Sequence, residues 1–110
     1  MKYQTIQSIE KFNRLVDEKQ GVLFYFSHEA CNVCNVLKPK IMTLFKEKFP
    51  LIERFYADTI KTPQIPAQLG IFAVPTIILY FEGREYIRES RNISLNQLKL
   101  SVERAYSLLF

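Results

Sequence analysis

Two short stretches of the chain are apolar at almost every position, and they constrain the fold more than any other feature. The stretches are VLFYF at residues 22–26 and PTIILYF at residues 75–81, both rich in β-branched and aromatic side chains. A strand that lacks polar alternation is buried on both faces, as in a sheet that carries helices on either side. The sequence therefore predicts a central sheet inside a layered α/β domain.

Segments with a helical spacing of apolar side chains lie between the predicted strands. Residues 3–6 are predicted to form a short first strand, and Ser8 is a typical N-cap for the helix that follows it. We expect Gly21 to end this helix, whose apolar face comprises Ile9, Phe12, Leu15 and Val16.

A long helix is predicted over residues 31–48, directly after the first apolar strand. Pro39 lies inside it, removes one backbone hydrogen bond and should kink the helix axis. The predicted apolar stripe of this helix comprises Val33, Leu37, Ile41, Leu44 and Phe45.

The second half of the chain contains further strands and helices. A strand is predicted over residues 51–57 and a short helical segment over residues 63–69. Glu82-Gly83 is a tight turn that leads from the second apolar stretch into a strand at residues 84–90. The Ser-x-x-Gln capping box at residues 94–97 opens a last helix with an apolar stripe of Leu95, Leu98, Val102, Ala105, Tyr106 and Leu109.

The order of elements is therefore β-α-β-α-β-α-β-β-α. Alternating strands and helices at the start imply a parallel sheet with right-handed crossovers, and the hairpin adds antiparallel strands. We predict a mixed central β-sheet flanked by helices on both faces, in a single domain over residues 1–110.

Composition excludes several classes of function. The net charge of +4 comes from scattered Lys and Arg without a basic run, so we expect no nucleic-acid binding. The N-terminal segment has no apolar signal region, and the longest apolar run is too short to span a bilayer. We expect a cytoplasmic monomer that is not associated with a membrane.

The only two cysteines, Cys31 and Cys34, lie at the predicted junction between the first apolar strand and the long helix. Unpaired N–H groups at a helix N-terminus stabilise a thiolate, which lowers the pKa of a cysteine placed there. Cys34 is about one helical turn further on, so its sulfur can lie beside that of Cys31. The pattern predicts a redox pair with Cys31 as the nucleophile and Cys34 as the resolving thiol.

A metal site is the main alternative for this pair. His28 lies three residues before Cys31, so a Cys2His cluster with Cys34 is conceivable. Protein zinc sites use three or four ligands, and no second Cys-x-x-Cys or His pair completes the set. In a reducing compartment a lone Cys-x-x-Cys is redox-active or metal-binding rather than structural. We expect a redox pair without a metal or other cofactor.

The segment Ala-Val-Pro-Thr at residues 73–76 is the second unusual feature. It places Pro75 at the start of a strand that is predicted to be central and buried on both faces. Proline cannot donate to a sheet and is normally confined to edges or strand ends. Another part of the site must therefore require this proline.

Together these motifs resemble the thioredoxin family over nearly the whole chain. The matching features, in order, are VLFYF, the CNVC that opens a helix, the helix Pro39, the AVPT before IILYF, the EGRE turn and the terminal helix. The resemblance implies the thioredoxin fold and a thiol-disulfide oxidoreductase that exchanges disulfides in protein substrates. Its electrons would come from a thioredoxin-reductase-like partner or a low-molecular-weight thiol.

The resemblance also implies roles for individual residues. Cys31 matches the family's nucleophile and Cys34 its resolving cysteine. Pro75 matches the family's cis-proline, packed against the active-site pair. Val74 would offer backbone hydrogen bonds to an extended substrate segment, which suits loosely sequence-selective protein substrates.

Several residues depart from the family pattern around the cysteines. Ala30 replaces a tryptophan, and Asn32-Val33 replaces the Gly-Pro pair that tunes the redox potential. Tyr25 stands at the position of the family's buried acid, and we align Arg54 with the lysine that neighbours that acid. Glu29 is a candidate substitute for the acid.

His28 is a candidate for tuning the pair, since a protonated imidazole would stabilise a thiolate at Cys31. Phe72, just before the AVPT segment, is a candidate apolar contact for a docking substrate. Two alternatives to catalysis stay open: an adaptor module that keeps the fold for docking, and a small metal-handling protein that uses the two thiolates.

Overall fold

The computed structural model describes residues 4–110, and their elements follow the predicted order. Tyr3, which the prediction included in the first strand, lies outside the described residues. The elements are β1 (Gln4–Thr5), α1 (Ile9–Glu18), β2 (Gly21–Ser27), α2 (Asn32–Lys48), β3 (Glu53–Asp58), α3 (Gln64–Leu69), β4 (Thr76–Phe81), β5 (Arg84–Ser90) and α4 (Leu95–Leu109). None of the helices in this range is long and apolar enough to cross a bilayer.

The strands form one mixed sheet in the order β1-β3-β2-β4-β5. β3 pairs in parallel with both β1 and β2, while β4 lies antiparallel to β2 and to β5. The two apolar stretches of the sequence are thus the adjacent strands β2 and β4 in the middle of the sheet. Every residue of both strands is buried, which confirms the sequence prediction.

Side chains of β2 alternate between two hydrophobic cores, one on each face of the sheet. Leu23 and Tyr25 pack with residues of α2 and α4, while Phe24 and Phe26 pack with residues of α1 and α3. Because both faces are covered by helices, the strand needs apolar side chains at every position. The absence of polar alternation in VLFYF follows from this layered arrangement.

The first helix ends earlier than the sequence predicts. α1 ends at Glu18, and Gly21 is the first residue of β2 and is buried there. A Cβ atom at Gly21 would lie 3.1–3.2 Å from side-chain atoms of Phe110, Ile52 and Phe81. Gly21 is therefore required by close packing at the start of a strand, and not by the end of a helix.

The boundaries of β3 also differ from the prediction. Ile52 donates its N–H to the carbonyl of Phe49 in a turn after α2, which delays the strand to Glu53 and extends it to Asp58. The tight turn at Glu82-Gly83 is confirmed, with positive φ values of 52° and 81° that fit a hairpin turn. Ser94 accepts a hydrogen bond from the N–H of Gln97, as its capping motif predicts.

The long helix begins at Asn32, and Cys31 is its N-cap. Pro39 lies inside it as predicted, but the prediction that Val33 faces the core is wrong. Val33 is 64% exposed, and the inward face consists of Cys34, Ile41, Met42 and Phe45. The spacing of Cys34, Ile41 and Phe45 repeats one helical face, and Val33 lies outside that face.

Candidate active site

Cys31 and Cys34 form a disulfide bond at the start of α2, with their Cα atoms 5.2 Å apart. Cys31 is the N-cap of the helix, so its sulfur takes the place of the usual hydroxyl or carboxylate oxygen. That sulfur accepts a hydrogen bond from the backbone N–H of Cys34 at 3.2 Å. The same N–H group, at the positive end of the helix dipole, favours a negative charge on the Cys31 sulfur once the disulfide is reduced.

The two sulfurs differ in their exposure to solvent. Cys34 is 0% exposed and belongs to the core between the sheet and α2, whereas Cys31 is half-buried at the surface. An incoming disulfide can therefore reach Cys31 and cannot reach Cys34 directly. This geometry separates an attacking sulfur from a resolving sulfur.

Pro75 follows a cis peptide bond from Val74, as the sequence predicts. Pro75 is buried, and its carbonyl accepts a hydrogen bond from the N–H of Arg91 at 2.8 Å. Val74 is half-buried and packs against the same core as the cysteines. Within residues 4–110, neither the N–H nor the C=O of Val74 has a hydrogen-bond partner, so both can pair with an extended segment.

Tyr25 lies behind the cysteines at the position where the family carries an acid. Its side chain is fully buried, and its hydroxyl donates a hydrogen bond to the carbonyl of Cys34 at 2.8 Å. Burial away from water raises the pKa of Tyr25 well above its ordinary value, with a smaller contribution from Tyr56. Tyr25 is therefore a neutral hydrogen-bond donor that ties α2 to the sheet.

The residue of β3 that pairs directly with Tyr25 is Tyr56, and Arg54, which the sequence aligns with the family lysine, lies two residues before it on the same strand. The parallel register pairs Tyr25 with Tyr56 and Arg54 with Leu23, two residues away. The two tyrosine rings are stacked with centroids 6.4 Å apart, and the ammonium group of Lys38 lies 4.3 Å from the Tyr56 centroid. An aromatic pair with a nearby cation thus lies behind the cysteines, where Tyr25 stands at the position of the family's acid.

His28 and Glu29 flank the cysteines but differ in their surroundings. The carbonyl of His28 accepts the N–H of Cys31 at 3.1 Å, and its buried Nδ1 atom has no hydrogen-bond partner in the described residues. The imidazole lines a cavity of about 270 Å³ together with Phe72 and Val74. The Glu29 carboxylate is 84% exposed and lies 3.9 Å from the ammonium group of Lys61.

Across residues 4–110, no group of three or more His, Cys, Asp and Glu side chains is arranged to hold a metal ion. The donors that lie nearest to the cysteines in the sequence are His28 and Glu29. The Glu29 side chain points to solvent and to Lys61, so it does not extend the Cys-x-x-Cys pair into a larger ligand set.

A second depression of about 470 Å³ is lined in part by Asn32 and Val33, the two residues between the cysteines, and the sequence alone did not reveal it. We call it the Arg91 groove. It lies between α2 and the segment after β5. Its apolar side chains are those of Val33, Val36, Leu37 and Ile93, and its two cations are Lys40 and Arg91. The available signal was weak: the Ser-Arg-Asn sequence after β5 indicates a turn, but only the fold brings that turn beside α2.

Comparison with known proteins identifies relatives of the whole domain. The family model described as Thioredoxin matches residues 4–104. The thioredoxin-like protein YdfQ of Bacillus subtilis is 26% identical over 104 residues, covering 94% of this chain and 89% of that protein. Thioredoxin 1 from Thermosipho africanus is similar in structure, with a TM-score of 0.72 and 34% identity, over 79% of this chain and 96% of that chain.

A more distant structure agrees in fold over the whole length. Oxidized mitochondrial thioredoxin 3 from Saccharomyces cerevisiae has a TM-score of 0.77 and 19% identity, covering 97% of this chain and 95% of its own. At that identity the likeness concerns the fold, including the mixed sheet with helices on both faces.

Proposed function

The chain belongs to the thioredoxin family of thiol-disulfide oxidoreductases, and on that premise we propose that it reduces disulfide bonds in protein substrates. The observation that carries the proposal is the asymmetry of the cysteine pair. Cys31 is accessible and its sulfur accepts a backbone N–H, while Cys34 is buried at disulfide distance. This arrangement favours one attacking thiolate and one resolving thiol.

The reaction consists of two thiol-disulfide exchanges. The Cys31 thiolate attacks one sulfur of the substrate disulfide, a mixed disulfide forms, and the other substrate sulfur leaves as a thiolate that takes up a proton. The Cys34 thiol loses its proton and attacks the Cys31 sulfur, which releases the second substrate sulfur. Two electrons pass to the substrate, and Cys31 and Cys34 end as the disulfide seen in the structure.

Val74 and Pro75 are the proposed binding residues for the substrate segment. The cis bond before Pro75 presents the unpaired N–H and C=O of Val74 next to the core that contains the cysteines. An extended substrate strand can pair with those groups through its backbone, which gives affinity with little dependence on sequence. Phe72, which is 94% exposed, offers an apolar contact beside that strand.

A partner must reduce the Cys31–Cys34 disulfide after each turnover. We propose a thioredoxin-reductase-like protein or a low-molecular-weight thiol as the electron donor and the cytoplasm as the place of action. A reducing compartment supplies the two electrons and two protons that each cycle consumes, and it keeps the pair available as thiols.

The test is reduction of the interchain disulfides of insulin in the presence of dithiothreitol, followed by turbidity. We expect the wild-type protein to accelerate precipitation well above dithiothreitol alone. Cys31→Ser should return the rate to the uncatalysed value, because no nucleophile is left at the surface. Cys34→Ser should accumulate a mixed disulfide between Cys31 and the substrate, detectable by mass spectrometry.

Ser107→Ala on the exposed face of α4 is a matched control that should keep the wild-type rate. If wild-type protein gives no acceleration, or if Cys34 is alkylated as fast as Cys31 in the reduced protein, the proposed reductase is ruled out. If either result is found and the protein nevertheless binds other proteins, it is a docking module of the same fold.

A further inference from the structure

The Arg91 groove carries two cations without a partner of opposite charge. Lys40 lies on α2, Arg91 directly follows β5, and neither forms a salt bridge with any residue in the range 4–110. No acidic side chain lines the groove, and α2 has no acidic residue in its first turn. The positive end of the α2 dipole adds to the potential. The groove is therefore electropositive next to Asn32 and Val33, the residues that separate the two cysteines.

Arg91 occupies a backbone conformation that most side chains avoid. Its φ of 64° lies in the left-handed region, where a glycine would fit without a penalty. The hydrogen bond from its N–H to the carbonyl of Pro75 holds the backbone in this conformation. Strained backbone positions that the surrounding structure holds in place cluster at functional sites, and the side chain of Arg91 lines the groove, which indicates a role in recognition.

The floor of the groove is apolar although it faces solvent. Val33 and Val36 are 64% and 60% exposed, and Leu37 and Ile93 lie beside them. The volume of about 470 Å³ falls in the range of pockets that hold several side chains or a small ligand. An apolar floor with a cationic rim fits a peptide segment that combines apolar and acidic side chains, and it fits a free inorganic anion poorly.

We propose that the Arg91 groove selects protein disulfide substrates in which an apolar and an acidic residue flank the reactive cysteine. The inference rests on the proposed reductase function and names its substrate class. The hydrogen bond between Arg91 and Pro75 joins the groove to the segment where Val74 pairs with the substrate backbone. A substrate strand that pairs with Val74 lies one residue from this junction, so a carboxylate on a flanking residue can reach the groove, where Lys40 and Arg91 attract it.

The test compares two fluorescence-quenched peptide disulfides that differ only in the residues flanking cysteine, Leu-Glu in one and Leu-Lys in the other. Pre-reduced protein is mixed with excess peptide in single-turnover experiments at low salt. We expect the acidic peptide to react faster by about three- to ten-fold, the ratio expected for one or two exposed ion pairs. The ratio should fall towards one in 0.5 M NaCl, because salt screens exposed charges.

The variant Lys40→Gln/Arg91→Gly removes both cations and gives residue 91 the backbone freedom of glycine. We expect its acidic-to-basic rate ratio to approach one. The control Lys46→Gln/Arg104→Gln removes the same net charge at exposed positions on the last turn of α2 and on α4. It should keep the wild-type ratio. Equal rates for both peptides with wild-type protein, or equal loss of selectivity in both double variants, would overturn the proposal.

Fluorescence anisotropy with the same peptides, in which serine replaces cysteine, measures binding without reaction. It distinguishes the proposed reductase function from the proposed selectivity of the Arg91 groove. A protein that reduces neither peptide contradicts the proposed function alone, and preferential binding of the acidic peptide then still supports the groove. Reduction of both peptides without any preference in rate or binding contradicts the groove and leaves the reductase function intact.

Discussion

At the scale of single residues, Tyr25 is the most informative departure from the family pattern. The position that carries an acid in the family here carries a phenol whose hydroxyl donates to the carbonyl of Cys34. Because burial raises its pKa, Tyr25 stays protonated at neutral pH and cannot accept a proton from Cys34. Its contribution is to hold the buried cysteine against β2, with the Tyr56 ring stacked beside it.

Tyr25→Phe tests this contribution. Removing the hydroxyl leaves the buried carbonyl of Cys34 with one partner fewer, which should lower the free energy of unfolding by about 1 kcal/mol at pH 7. Tyr86→Phe is the matched control, because the hydroxyl of Tyr86 also donates to a backbone carbonyl, that of Ser101, but at an exposed site. Urea denaturation of both variants should show the larger loss for Tyr25→Phe.

The same variant should change the stability at alkaline pH. An unfolded tyrosine loses its proton near pH 10, whereas folded Tyr25 keeps it to a higher pH, so the folded state binds more protons in that range. The free energy of unfolding therefore falls as pH rises above about 10, by up to about 1.4 kcal/mol per pH unit from this group. Tyr25→Phe should make the decline shallower, and an unchanged slope would contradict burial of the phenol.

At the scale of elements, α1, α2 and α4 start in the same way, whereas α3 has no side-chain cap. Ser8, Cys31 and Ser94 are the N-caps of α1, α2 and α4, and each side chain accepts a backbone N–H from three residues further on. In α2 a sulfur does what a hydroxyl oxygen does in the other two. The first turn of α2 and the redox pair are therefore the same structural unit, and the start of this helix depends on the state of Cys31.

Ser94→Ala tests the cap of α4. Loss of the hydrogen bond to the Gln97 N–H should lower the free energy of unfolding by about 1 kcal/mol. Ser101→Ala on the exposed face of the same helix removes no cap and should leave stability unchanged or slightly increased, since alanine has the higher helix propensity. Equal effects of the two substitutions in thermal denaturation would show that the cap contributes nothing.

At the scale of the whole molecule, distant parts of the chain meet at Gly21. Its Cα hydrogens face Phe110 from the C-terminus, Ile52 from the segment before β3 and Phe81 from the end of β4. The adjacent Gln20 donates from its side-chain amide to the carbonyl of Leu109 at 2.7 Å. The end of the last helix is thereby fixed to the start of the central strand, at the end of the sheet away from the cysteines.

Gly21→Val tests this convergence. A branched side chain cannot fit at contacts of 3.1–3.2 Å without displacing its neighbours, so we expect a loss of about 1–3 kcal/mol in the free energy of unfolding. Phe110→Ala opens space at the closest contact and should recover part of that loss in the double variant, measured as a coupling energy in a double-mutant cycle. Additive losses would show that the two residues do not compete for the same space.

The sequence predicted the features that depend on local pattern. Continuous apolar runs identified β2 and β4, the capping motif identified the start of α4, and the Cys-x-x-Cys and the cis Pro75 were expected where the structure has them, at the start of α2 and directly before β4. The features that the sequence did not predict depend on how the helices and strands pack against each other. Tyr56 pairs directly with Tyr25 in the strand register, Val33 faces outward, and Arg91 meets α2 only through the fold.

The difference in exposure between the two sulfurs protects the site against oxidative damage. Peroxide reaches the half-buried sulfur of Cys31 first and converts its thiolate to a sulfenic acid. Cys34 lies within disulfide distance, so its thiol condenses with the sulfenic sulfur and releases water, which removes the sulfenic acid before a second peroxide can oxidise it to the irreversible sulfinic acid. The product is the same Cys31–Cys34 disulfide that the structure contains, so repair of the lesion needs only the reduction step that the proposed cycle already requires.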